Sequence, residues 1–282
     1  MGITLAQNDY GKSRVRLLRV TRRDGHHEIK DLTLSILFEG DFDSAHTAGD
    51  NGKILPTDTM KNTVYVLAQQ YSAEAIEEFA LHLIGHFLTY NPQVSKVEVT
   101  ASERPWSRIP VGENAHPSAF VSTAGEKRTT HIRATRQNTI LQSGIEDLIV
   151  LKTSGSAFRG FLRDPYTTLE ETQDRILSTV IQATWLYAES DPPYSPVWHG
   201  VRKILLETFA AHESQSLQHT LYAMGRAALE SFDAIREMRL SFPNKHYLPV
   251  NLKPFGMENT NELFLPVDEP HGLIEATLRR EP

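Results

Sequence analysis

Residues 241–250 read SFPNKHYLPV. In the residues just before them, DAIREMRL, and at the start of this stretch, Met238, Leu240 and Phe242 alternate with polar residues, the period of a half-buried strand. Pro243 has no N–H to give a ladder, so the reading is a strand over 234–242 that breaks and resumes over 246–250. Behind the break stand Asn244, Lys245 and His246, an amide, an ammonium and an imidazole in a row. Pro-Asn is ordinary turn chemistry, so the rest of the chain must decide whether this group has a task.

Working outward, further strands are expected over 262–267 and 273–279, and helices over Val201–Ala211 and Leu217–Phe232. Leu217, Leu221, Met224, Ala228 and Phe232 line one side of the second helix. Leu148–Lys152 reads as a strand, and 165–189 fits neither period cleanly. In the N-terminal half, Val15–Arg22 and the alternating Leu32, Leu34, Ile36 and Phe38 predict two strands joined at Asp24-Gly25. A polar loop, GDFDSAHTAGDNG, follows, then a short helix over 60–70. Ser72 is the expected cap of a longer helix carrying Ile76, Phe79, Ala80, Leu83, Ile84, Phe87 and Leu88, and Asn91-Pro92 ends it. Val97, Val99 and Ala101 begin another strand, with 119–136 as its partner. The element order of the first half returns in the second. DTMKNTVYVLAQQY (58–71) and DRILSTVIQATWLY (174–187) also match in step. The expectation is an α+β chain of two similar halves, 9–140 and 141–282, each an antiparallel sheet with helices on one face. No linker divides them, which allows their sheets to be continuous.

Composition narrows the chemistry. The chain has 282 residues, a net charge of −6 and no cysteine. No Lys/Arg block provides the footprint of a nucleic-acid binder. Absence of cysteine removes disulfides, zinc ribbons, iron–sulfur clusters and a thiol nucleophile. The 12 histidines show no H-E-x-x-H and no ligand triad; His26-His27 sit on a turn, and His212 and His219 flank a helix junction. No Gly-rich phosphate loop and no G-x-S-x-G elbow occurs; TSGSAFRG (153–160) lacks the lysine and spacing. The N-terminus has no apolar core, no run approaches a membrane span, and the chain ends LRREP rather than Ser-Lys-Leu. A cytoplasmic protein is expected, with no metal and no cofactor.

What remains is a set of short polar words in apolar surroundings. They are YGK with Lys12, LPTDT with Thr57 and Asp58, SAFRGFLRD with Phe158, DRILST with Arg175, SLQHT with Leu217 and Gln218, and PNKHY with Asn244 and His246. Each has an ordinary structural reading. Lys12 can be a solvated terminus, Thr57 and Asp58 a helix cap, Phe158 a core plug, Arg175 a surface charge and Gln218 a polar helix face. Gln218 also stands in a first helical turn, where unpaired N–H groups favour an anion.

Taken together, YGK, PTDTMKNT, SAFRGFLRDPYTTLEETQDRILST, SLQ and SFPNKHY, in this order, resemble the urate oxidase (uricase) family from about residue 9 to 279. The resemblance implies two tandem tunnelling-fold domains, each with a four-stranded antiparallel sheet and two helices. Homotetramers would close these sheets into barrels around a tunnel, with active sites between chains. It implies oxidation of urate by dioxygen and water to 5-hydroxyisourate and hydrogen peroxide, without metal or organic cofactor. By the same resemblance, Arg175 pairs with the substrate anion, Gln218 reads the opposite edge and Phe158 stacks on the ring. Leu217, where the family more often has valine, gives its backbone N–H. Thr57 and the N–H of Asp58 come from the neighbouring chain. Lys12, Thr57 and His246 form a proton relay, and Asn244 holds dioxygen and later water. Lys245 receives no role. The alternative is a catalytically inactive tunnelling-fold protein that binds a purine or pterin.

Overall fold

A computed structural model of the chain describes residues 2–72, 74–122, 125–188 and 191–281. The chain divides into two compact units, Met1–Gly144 and Ile145–Pro282. In the first, strands β1 (Tyr10–Arg23) and β2 (His26–Gly40) form an antiparallel hairpin. Gly25 in its turn has φ +79°, a left-handed conformation that glycine adopts without penalty. A short helix α1 (Asp43–Thr47) and two longer ones, α2 (Thr57–Gln70) and α3 (Ile76–Tyr90), follow. Strand β3 (Val94–Arg104) pairs with β2, and β6 (Lys127–Thr135) pairs with β3. Between them β4 (Trp106–Val111) and β5 (Asn114–Ser122) make a separate two-stranded ribbon. The helices bury one stripe against one sheet face. Phe79, Leu83 and Phe87 of α3 share a core with Leu34, Ile36, Phe38, Val97, Val99 and Ile132 from alternating strand positions.

Strand β7 (Thr139–Lys152) runs through the boundary between units, and the second unit repeats the same order. It continues with β8 (Leu177–Tyr187), α4 (Tyr194–Ala211), α5 (Leu217–Ser231), β9 (Ile235–Pro249) and β10 (Phe264–Arg279). β9 lies between β8 and β10, antiparallel to both. Ile181, Trp185, Val201, Leu205, Leu221, Met224, Leu240 and Phe242 are buried in this unit. The α+β class and the duplicated strand–strand–helix–helix–strand–strand order therefore stand.

Several local expectations do not. The matching texts 58–71 and 174–187 are not equivalent: the first is helix α2, whereas the second enters strand β8. Packing decides here, since Ile181, Ala183 and Trp185 bury alternate positions of a sheet and Met60, Val64 and Leu67 bury one helical stripe. Nor does the strand break at Pro243. β9 runs unbroken, with Pro243 opposite Leu273 and its carbonyl accepting from Thr179 Oγ1 at 2.8 Å. The irregularity falls instead on β10, between Val267 and Gly272. The strands expected over 262–267 and 273–279 are one bulged strand. The supposed partner 119–136 is two strands of two different sheets, and its Thr123 and Ala124 lie outside the described residues, as does Glu189 of 165–189. Ser72 caps nothing: α3 starts at Ile76, where the Glu78 carboxylate accepts from the N–H groups of Glu74 and Ala75 at 3.0 and 3.2 Å. The loop expected at 40–52 contains α1, anchored by the fully buried Phe42 before it.

Candidate active site

The candidate residues fall into two groups, one in each unit. In the first unit, Lys12 sits on β1 opposite Ile36. Gly11 beside it is there because there is no room for anything else: a Cβ would lie 1.8 Å from the Ile36 carbonyl oxygen. Directly after Lys12 the register slips, so that Ser13 and Arg14 face Ser35 alone before Val15 meets Leu34. Arg14 adopts φ +57° in this bulge, and its N–H donates to Ser35 Oγ at 3.1 Å. Thr57 opens α2. The N-cap is Pro56, which offers no side-chain acceptor, so no side chain of the cap residue satisfies the first N–H groups of the helix. The Asp58 carboxylate turns back along its own helix to Lys61 and to Asn62 Nδ2 at 3.0 Å. Its pKa is lowered chiefly by the Lys61 hydrogen bond and charge, with a smaller pull from Lys12, which places the two words in one electrostatic neighbourhood. The carboxylate is thus engaged, and what Asp58 can offer a ligand is its backbone.

In the second unit, Phe158 and Arg175 meet. The guanidinium carbon lies 5.0 Å from the ring centroid, and Phe158 is also stacked on Phe161 at 5.0 Å. Arg175 Nε is buried and has no hydrogen-bond partner. Burial pushes this guanidinium down from its ordinary value. His246 on β9 is held below the usual imidazole range, first by burial and then by the charges of Arg175 and His271. Asn244, two residues earlier on the same strand face, sits opposite Gly272 on one side and Thr179 on the other. Lys245 points to the opposite face and pairs with Asp268 at 2.6 Å. Leu217 and Gln218 are the first two residues of α5; Leu217 is buried and Gln218 exposed. Ser216 caps the helix by accepting from the His219 N–H at 3.1 Å. The structure thus gathers Phe158, Arg175 and His246, with Asn244 and Gln218 on rigid elements rather than loops.

What holds these words together was not visible in the sequence. Ser214 accepts from the Ala157 N–H at 2.8 Å and donates its own N–H to Gly155 at 3.0 Å, which ties the Phe158 segment to the start of α5. The Ser214 hydroxyl, fully buried, accepts from Thr220 at 2.8 Å. Phe158 and Thr172 exchange backbone bonds of 2.9 and 3.0 Å, and Asp174 accepts from the Ser156 N–H at 3.1 Å just before Arg175. Serines, threonines and one aspartate in turn-rich text carry no periodic signal, so only the fold reveals them. His212 Nε2 and His219 Nδ1 also meet, at 3.2 Å. Among the described residues no group of three or more metal-ligating side chains converges, and no helix is long and apolar enough to cross a membrane.

Two successive antiparallel units, each carrying a helix pair, define a protein of the tandem tunnelling-fold class. A family model described as uricase matches residues 8–133 and 141–275. The uricase of Arthrobacter globiformis is 46% identical over 279 residues, covering 99% of this chain and 91% of that protein. Its crystal structure superposes with a TM-score of 0.95 over 100% of this chain and 96% of that one. The uricase of Dictyostelium discoideum is 37% identical, with 98% of both chains covered. Urate oxidase from Bacillus sp. TB-90, 24% identical, shares the fold with a TM-score of 0.86 over 97% of this chain and all of that one. The chain belongs to the uricase family.

Proposed function

We propose that the protein oxidises urate with dioxygen and water to 5-hydroxyisourate and hydrogen peroxide, as a step of purine degradation. Two electrons pass from the urate anion to dioxygen, which leaves as peroxide once protonated; water adds to the oxidised ring. The substrate supplies the electrons, so the chain's tasks are to orient a flat anion and to move protons. The observation that carries this reading is the desolvated Arg175, its buried Nε–H without an acceptor beside the Phe158 face. A buried unpaired donor is costly, and a planar anion stacked on Phe158 would supply the missing acceptor.

In this reading Arg175 binds the anion, Gln218 reads the opposite edge by its amide, and the Leu217 N–H adds a main-chain donor. Asn244 holds dioxygen and then water. Thr57 and the Asp58 N–H, at the uncapped start of α2, hold the five-membered ring from a neighbouring chain. Lys12, Thr57 and His246 relay protons. The two tunnelling-fold domains, 9–140 and 141–282, assemble as homotetramers whose sheets close into a barrel around a tunnel. The division of the candidate residues between the two units fits sites completed by two chains.

The test uses purified, chelator-treated protein in aerated buffer. Loss of urate absorbance with one peroxide formed per urate is the expected outcome. Urate bound but not consumed would make the chain an inactive binder and demote Lys12, Thr57 and His246 to structural residues.

A further inference from the structure

We infer that Tyr10 is a positioning residue of the proton relay: its phenol oxygen clamps the segment entering Thr57 onto the strand that carries Lys12. The inference rests on the relay proposed above. The Leu55 N–H donates to Tyr10 Oη at 2.9 Å. Leu55 precedes Thr57 by two residues, and Tyr10 precedes Lys12 by two, so one hydrogen bond ties the backbone just before Thr57 to the side chain just before Lys12. Tyr10 and Lys12 share a face of β1, since strand side chains repeat every second residue.

Both arms of the clamp are stiff. On one arm, the Tyr10 ring packs edge-on against Phe38 and Phe42, with centroids 5.9 and 4.8 Å away. Phe38 and Phe42 are fully buried, so the ring has one place to sit. Gly11 then brings β1 against the Ile36 carbonyl more closely than any other residue could, which fixes the strand between the phenol and Lys12. On the other arm, Pro56 stands between Leu55 and Thr57 with φ −55°, so little freedom remains between the clamped N–H and the first residue of α2. Burial keeps the phenol above its ordinary pKa and hence neutral. The ring alone would satisfy the core; the hydroxyl is the part whose partner leads to Thr57.

The test is a double-mutant cycle on the complete enzyme. Tyr10→Phe keeps the ring and removes the acceptor. Leu55→Pro, compared with Leu55→Ala, removes the donor; a residue before proline is already biased to the β and polyproline II regions, the second of which proline itself adopts. Each deletion should lower kcat about fivefold to tenfold, the effect of one ordinary hydrogen bond, with the KM for urate unchanged within about twofold. The double variant should be no slower than the worse single one, because both remove the same bond. If Tyr10→Phe does not fold, the Leu55 comparison alone decides. Wild-type kcat in Tyr10→Phe, or a lowered Tm with unchanged kcat, overturns the inference. Additive losses in the double variant overturn it as well. Lys12→Met is the separate control: if it keeps full activity the relay itself fails, whereas an inactive Lys12→Met beside a fully active Tyr10→Phe removes only the role of Tyr10.

Discussion

Arg175 helps to set the chemistry of His246. Both are withdrawn from water, and the guanidinium charge adds to burial in disfavouring a second positive charge on the imidazole. The folded protein therefore protonates His246 only below the usual histidine range, so the neutral ring a proton shuttle needs persists as pH falls through about 6.5, the ordinary histidine value. An NMR titration of the His246 ring should show this low midpoint. In Arg175→Gln the midpoint should rise toward the ordinary value without reaching it, since burial is the larger cause and remains; an unmoved midpoint would break the coupling. Turnover separates the residues by task. Asn244→Ala and His246→Ala should retain urate binding, read by equilibrium titration, while kcat falls by about 10²-fold or more, the range of a lost general acid–base or positioning group. Survival of turnover in both variants would remove the proposed roles. Arg175→Gln should lose binding first.

The elements that present these residues are fixed by backbone more than by side-chain bulk. Gly11→Ala places a Cβ against the Ile36 carbonyl, and β1 and β2 must part to admit it. We expect a loss of about 3 kcal/mol of stability, at the upper end of ordinary overpacking, read by denaturant unfolding. Ser216→Ala removes the cap of α5 and should cost about 1 kcal/mol. That variant should also weaken urate binding, because Leu217 and Gln218 are the first two residues of the frayed turn. A third element-level device is the buried Glu77 at the start of α3. Its carboxylate accepts from Arg128 at 2.6 Å and from Ser143 at 2.5 Å. Glu77→Ala removes the carboxylate of this buried ion pair and should cost about 3–5 kcal/mol, the measured range for breaking a buried pair.

At the scale of the whole molecule, the proposed site takes Lys12 and Thr57 from the first unit of one chain and Arg175 and Gln218 from the second unit of another. This makes complementation between inactive variants the decisive measurement. Lys12→Met and Gln218→Ala should each be inactive as homo-oligomers. Co-expressed, they should recover roughly a quarter of wild-type activity under random mixing, because some interfaces then receive both intact halves. No recovery from a demonstrably mixed oligomer would show that a site is completed within one chain.

The sequence by itself determined the α+β class, the hairpin at Asp24-Gly25, the apolar stripe of α3 and the duplicated order of elements. These follow from periodicity and turn chemistry, which are local. It also identified the words that carry the candidate site, because their residue types and order survive whatever conformation they adopt. Only the tertiary structure decided which conformation that was. DTMKNTVYVLAQQY and DRILSTVIQATWLY read alike, yet one is a helix and the other enters a strand, since the partners that bury their apolar positions differ. Pro243 looked like the end of a strand, yet β9 passes through it and the neighbouring β10 takes up the irregularity, a choice made between strands far apart in sequence. The supports at Ser214, Asp174 and Tyr10 were silent for the same reason. A hydrogen bond between residues 45 apart, such as that from Leu55 to Tyr10, leaves no period and no motif in the chain that makes it.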